Sequence, residues 1–135
     1  MSFNKVMFSS ATDHWSTPQD VYNSLHKEFG FTNDPCPLHG FGGLNMEWGE
    51  CNFVNPPYSD IKSWIKKGYE EAQKGKTVVF LIPSRTDTRW WHDYCMKGQI
   101  RFIKGRLKFG NAKNSAPFPS CVVIFDKYAF NCQRG

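Results

Sequence analysis

The residues best placed to do chemistry are Asn55-Pro56-Pro57-Tyr58, which directly follow the compact apolar run Cys51-Asn52-Phe53-Val54. The Asn55 side-chain oxygen and the Pro56 carbonyl are two acceptors that one planar amine can meet together. A conjugated amine is a poor nucleophile. Two acceptors on its hydrogens favour the pyramidal geometry in which the lone pair can attack. Proline in second place directs its carbonyl rigidly and adds no competing N–H. Tyr58 offers an aromatic face on which a flat group can stack. Such a site works mainly by positioning, and it needs no general base when the attacked carbon is already activated. The same four residues also read as a strand stop and helix start, because paired prolines break regular structure.

The other reactive side chains form weaker patterns. The five cysteines, Cys36, Cys51, Cys95, Cys121 and Cys132, show no CxxC spacing and read as reduced thiols. Cys36, His39 and Cys51 suggest three metal ligands, but a fourth has no obvious position, so no metal is expected. Cys121 lies in an apolar run and reads as core. His14 and His92 stand alone, with ordinary surface or packing roles.

Charge is the stronger signal. The chain carries 17 Lys+Arg against 12 Asp+Glu, a net +5. Six of those cations, Lys97, Arg101, Lys104, Arg106, Lys108 and Lys113, lie between Tyr94 and Phe125, a stretch without Asp or Glu. The remainder holds eleven basic and twelve acidic residues. Clustered Lys and Arg are the footprint of polyanion binding, and a solvated strand face is the plainer alternative.

These residues need a scaffold, and 135 residues with 40% hydrophobic and 16% aromatic content make about one domain. A mean hydropathy of −0.53 without a long apolar run excludes a membrane-spanning helix. Met1-Ser2-Phe3-Asn4-Lys5 opens no signal peptide, so a cytoplasmic location is expected. Residues 1–14 read as an N-terminal arm, and 15–135 as one catalytic domain with no separate target-recognition domain.

Thr17 as a hydroxyl cap and Pro18 as the first helical residue predict a helix over 18–29, closed by Gly30. A short strand over 31–34 ends at Pro35. Residues 36–50 read as loop, with a short strand near Leu44-Asn45-Met46. After the strand at 51–54, Ser59 or Asp60 caps a helix whose apolar face is Ile61, Trp64, Ile65, Gly68, Tyr69 and Ala72, ending at Gly75. Residues 78–82 predict a central parallel strand buried on both faces. A third helix runs from Asp87 or Thr88 to about Met96. Trp90 and Trp91 are adjacent on it, so one should be core and the other partly exposed. Residues 100–109 form a strand or hairpin, 115–120 are irregular, and 121–125 are the last strand. The pattern is α/β with a mostly parallel sheet flanked by helices. Working residues in such sheets gather beyond the carboxyl ends of the strands. That brings Asp34-Pro35-Cys36, Asn55 to Tyr58 and Ser84-Arg85-Thr86-Asp87 to one crevice.

Several strings, in order, resemble a known family. They are Trp15-Ser16-Thr17-Pro18, Glu28-Phe29-Gly30-Phe31, Asp34-Pro35-Cys36, Asn55-Pro56-Pro57-Tyr58, Trp64, Leu81-Ile82-Pro83-Ser84-Arg85-Thr86-Asp87-Thr88, Trp90-Trp91-His92, Phe102-Ile103-Lys104-Gly105-Arg106-Leu107-Lys108-Phe109 and Ser115-Ala116-Pro117-Phe118-Pro119-Ser120. Together they are similar to the phage-type DNA adenine-N6 methyltransferases, a compact Dam-like group. The resemblance implies a truncated Rossmann-like fold and transfer of a methyl group from S-adenosylmethionine (SAM) to the N6 amine of adenine in DNA. It implies that Asn55, Pro56, Pro57 and Tyr58 hold the flipped base. It puts Trp15, Thr17, Pro18, Asp34, Pro35 and Cys36 beside SAM, and Arg85, Arg101, Lys104, Arg106 and Lys108 on DNA phosphates. DNA is the implied partner, with no membrane role. The setting would be the cytoplasm of a bacterial or phage-infected cell.

Only twenty residues separate Asp34 from Asn55. A full strand–helix–strand crossover needs about a dozen residues of connection besides its strands, so the cofactor half is trimmed. Glu47 or Glu50 is a candidate for the ribose and equally a solvated loop charge. Gly40-Phe41-Gly42-Gly43 is a remnant glycine loop or a turn. Two alternatives stand beside the main reading. One is transfer to another planar amine (cytosine N4, RNA adenine, protein glutamine). The other is a nucleic-acid-binding module that has lost SAM binding. With no room for a DNA-reading module, a homodimer is one way to complete the DNA surface.

Overall fold

The computed structural model describes residues 16–37, 42–109 and 115–127. Their elements, in order, are helix α1 (Gln19–Phe29), strand β1 (Cys51–Val54), helix α2 (Ile61–Gln73), strand β2 (Thr77–Pro83), short helix α3 (Arg89–Asp93), strand β3 (Gln99–Phe102) and strand β4 (Ser120–Phe125). Single 3-10 turns occupy Gly43–Asn45, Tyr58–Asp60 and Cys95–Lys97. The expected arm at 1–14, Trp15, His39, Lys113 and Cys132 lie outside the described residues.

The sheet order is β1-β2-β4-β3. β1 and β2 are parallel, with Val54 opposite Phe80. β4 runs antiparallel to both β2 and β3. The sheet is therefore mixed, which corrects the expectation of a mostly parallel one. A parallel return needs a crossover, usually a helix. The connection from β3 to β4 forms no helix among its described residues, so β4 comes back reversed and inserts beside β2.

Alternation along the strands builds two cores. Val54, Val78, Phe80, Ile82, Val123 and Phe125 meet Ile61, Trp64, Ile65 and Ala72 of α2 and Trp91 of α3. Phe53, Val79, Leu81, Val122 and Ile124 face the other way, onto Leu25 of α1, Phe31, Phe109 and Ala116. Val78 to Ile82 are 0% exposed, as befits the central strand. Gly68 lets α2 lie close: a Cβ there would overlap Cζ and Cε2 of Phe80.

Several boundaries differ from those the sequence suggests. α1 has Pro18, not Thr17, at its N-cap, without a side-chain cap bond. The predicted strand at 31–34 is a single parallel bridge, Asn33 to Asn52. Leu44-Asn45-Met46 forms no strand; Leu44 and Asn45 sit in a 3-10 turn. α3 is capped by the Thr88 hydroxyl, which accepts from the Trp91 amide at 3.3 Å. It stops at Asp93, because Tyr94 leaves helical geometry (φ −125°, ψ −55°). Trp91 is buried and Trp90 only partly so, as adjacency requires.

Candidate active site

The Asn33–Asn52 bridge sets Asp34-Pro35 beside the carboxyl end of β1. On the other flank β2 runs parallel to β1 and leads into Ser84 to Asp87. The three expected segments thus share one end of the sheet. Asn52, 0% exposed, ties together the opposite, amino end of β1 and β2. Its Oδ1 accepts from Asn33 Nδ2 (2.9 Å) and the Gly49 amide (3.0 Å). Its Nδ2 donates to the carbonyls of Gly49 (2.8 Å) and Thr77 (3.1 Å). Sequence reasoning missed this residue; its signal was an amide inside an apolar strand.

Asn55 leaves the end of β1 and is 4% exposed. Its Nδ2 donates to the Thr17 hydroxyl at 3.1 Å. This bond explains the shifted start of α1. A buried amide group that loses its partner costs about 1–3 kcal/mol, whereas a helix cap contributes about 1 kcal/mol. The hydroxyl therefore serves Asn55. The nitrogen and oxygen of an amide diverge from one carbon, so committing Nδ2 to Thr17 turns Oδ1 away from α1. Pro56 is buried, and Pro57 (φ −64°, ψ 133°) starts the turn that carries Tyr58.

Tyr58 is half-buried. Phe118 meets its ring edge-on at 5.4 Å and Phe109 at 6.4 Å. Burial, with the nearby Cys121 thiol, holds its hydroxyl far above the usual phenol range. Tyr58 is therefore a neutral phenol set among aromatic rings. The buried thiols are equally inert: burial pushes Cys121 up to about 11 and Cys95 higher still.

Asp34 and Pro35 line a cleft of about 210 Å³ with Asn33, Pro37, Gly43, Met46, Glu47 and Trp48. Thr17, Pro18, Cys36 and Glu50 are not among its described lining residues. The Cys36 amide donates to Asp34 Oδ1 at 3.1 Å, which fixes the turn. Gly43 must be glycine, because a Cβ would run into the Pro35 carbonyl and the Trp64 ring. Trp48 donates its indole N–H to the Gly43 carbonyl at 2.7 Å and stacks on Trp64 at 6.1 Å.

A buried ionic network backs this wall. Glu71, 1% exposed, accepts from the Trp48 amide at 2.8 Å and from Lys76 at 2.8 Å. Its other oxygen accepts from Lys74 (2.7 Å) and Lys67 (3.2 Å). Lys76 also donates to the Trp48 carbonyl at 2.6 Å and to Glu47 at 3.3 Å. Burial alone would raise the Glu71 carboxyl. The hydrogen bonds from Lys74, Lys76, the Trp48 amide and Lys67 outweigh it and hold the group well below the carboxylate range. Burial would likewise lower Lys76, but Glu71 and Glu47 raise it. Sequence reasoning missed this network too. Its signal was Glu71 on the same stripe as Trp64, Gly68 and Ala72.

The basic residues divide. Lys104, Arg106 and Lys108 are exposed, while Ile103, Leu107 and Phe109 turn inward. Arg85 is exposed just past the end of β2. These four cations form no ion pair with any described residue. Lys108 is next to Phe109, which touches Tyr58, so the strip reaches the Asn-Pro-Pro-Tyr segment. Arg101 differs: it grips both Glu28 oxygens at 2.7 and 2.6 Å and covers the Phe29 ring.

The family model described as DNA N-6-adenine-methyltransferase (Dam) matches residues 42–130. That span holds β1 to β4, the Asn-Pro-Pro-Tyr segment and the basic strip. A DNA N-6-adenine-methyltransferase of Escherichia phage T1 is 25% identical over an alignment of 146 positions, gaps included, that covers 78% of this chain. The chain spans 61% of that relative's length.

Proposed function

The chain belongs to the DNA N-6-adenine-methyltransferase (Dam) family, and from that premise we propose that it methylates the N6 amine of adenine in DNA, with SAM as donor. The observation that carries this reading is that Asn55 leaves the carboxyl end of β1, the strand that the Asn33–Asn52 bridge joins to Asp34 and Pro35 of the cleft. In this role Asn55 Oδ1 and the Pro56 carbonyl accept from the adenine amine and steer its lone pair. Tyr58, braced by Phe109 and Phe118, supports the extruded base. Its raised pKa fits a stacking role rather than proton transfer.

The cleft fits the donor's chemistry. Asp34 and Glu47 suit a group that carries positive charge and ribose hydroxyls, and Met46, Trp48 and the prolines add apolar surface. When bound, SAM supplies a methyl group activated by its sulfonium. Three strands run one way, and the site gathers at the carboxyl ends of β1 and β2. This supports a truncated Rossmann-like reading. Arg85, Lys104, Arg106 and Lys108, exposed and without an ion pair to any described residue, suit DNA phosphates. Among the described residues, no helix is long and apolar enough to cross a membrane.

The test is incubation with labelled SAM and unmethylated duplex DNA, followed by nucleoside digestion. N6-methyladenine is expected. SAM binding with no methyladenine from any DNA tried would sink the reading, and methylcytosine or methylated RNA would redirect it. Asn55→Ala should lower turnover roughly a hundredfold, as for loss of one positioned polar group. Full activity in that variant would remove Asn55 from the mechanism.

A further inference from the structure

We propose that Thr17 is a positioning residue for Asn55: its hydroxyl anchors the Asn55 side chain just past the end of β1, so that the amide oxygen can meet the acceptor amine. The inference rests on the adenine-methylation reading for its catalytic meaning. Its geometric part stands alone. Resemblance places Thr17 beside SAM, and the helix pattern makes it a cap. Its hydroxyl does not cap α1, and the residue is not among those lining the cleft. It accepts instead from Asn55 Nδ2 at 3.1 Å, across 38 positions of sequence.

An asparagine amide flipped about its last bond exchanges donor for acceptor. A flipped Asn55 would point N–H groups at the N–H groups of the target amine, and the two would repel. Packing discriminates the two orientations poorly, since the amide's nitrogen and oxygen are nearly the same size. The Thr17 hydroxyl, which can accept or donate, holds the amide in place in either orientation, and the N–H groups of the target amine select the one with the oxygen forward. Pro18 contributes by keeping its own backbone extended at ψ 134°, which holds Thr17 one residue outside the helix.

Thr17→Val keeps the shape and removes the hydroxyl, and Thr17→Ser restores it. In isotope-labelled protein, the Asn55 side-chain amide protons are assigned by their loss in Asn55→Asp. They should exchange about tenfold faster in T17V and at the wild-type rate in T17S. Turnover at saturating SAM and DNA should fall about tenfold in T17V and recover in T17S, with calorimetric SAM affinity unchanged. Thermal melting checks that each variant is folded. If T17V is not, Thr17→Ala against Thr17→Ser gives the same comparison.

Unaltered amide exchange in T17V would overturn the proposal. So would weakened SAM binding with full saturated turnover, which would make Thr17 a cofactor ligand. If the wild type transfers no methyl group while the exchange still responds to T17V, the Thr17–Asn55 link is upheld and the methylation reading falls.

Discussion

Asn52 and Asn55 sit three residues apart, near opposite ends of β1, and are used in opposite ways. Asn52 spends its side chain on four bonds inside the protein, which fix the bridge to Asn33 and the start of β2. Asn55 is held through its nitrogen, with its oxygen turned elsewhere. Asn55 was legible in the sequence because its neighbours form a rigid local string. The use of Thr17 was not, because a distant acceptor competed with a local cap. Glu71 was hidden for a related reason: Lys67 and Lys74 are its near neighbours in sequence, but the Trp48 amide and the buried Lys76 close on it only when α2, β2 and the Trp48 loop meet. Its folded-state pKa lies below the unfolded value. Its contribution to stability is therefore full above the unfolded carboxylate pKa and is lost as pH falls through the depressed folded value. Glu71→Gln should cost about 3 kcal/mol near neutrality, by leaving Lys76 buried without its countercharge. It should also flatten the loss of stability below about pH 5. Urea titrations across pH measure both. An unchanged acid limb would refute the assignment.

At the scale of elements, helix stripes and apolar runs were readable, since period and burial are written locally. Strand direction was not. Val78 to Ile82 looks the same in sequence whether its neighbour runs with it or against it. Here it pairs parallel with β1 and antiparallel with β4. The helix–sheet spacing carries a test with a definite sign. In an open helix Gly→Ala stabilises by about 1 kcal/mol. At Gly68 the new methyl meets the Phe80 ring, itself 0% exposed. Gly68→Ala should therefore destabilise by about 1–3 kcal/mol. A higher unfolding midpoint in urea would show that α2 does not rest on Phe80 as described.

Across the whole molecule, the charge excess was legible as an amount, but not as a set of available charges. Arg101 belongs to the acid-free segment, yet Glu28 comes from 73 residues away to meet it. Neutralising Lys104, Arg106 and Lys108 together should lower the salt dependence of DNA binding by about three in log–log slope. Arg101→Gln should leave the slope nearly unchanged, as read by anisotropy titrations at several salt concentrations. An equal effect from Arg101 would mean that its pair with Glu28 opens on DNA. The strand order also sets a timetable. A ribosome delivers β1, α2 and β2 early, and they can pack as they emerge. β3 touches the sheet only through β4, so it waits for Ser120–Phe125. Until then Phe102, 67% exposed even in the finished fold, sits on a strand with no partner. The segment bearing the basic strip is thus the last to be anchored during synthesis, and a nascent chain stalled before residue 120 would offer a bare strand for aggregation.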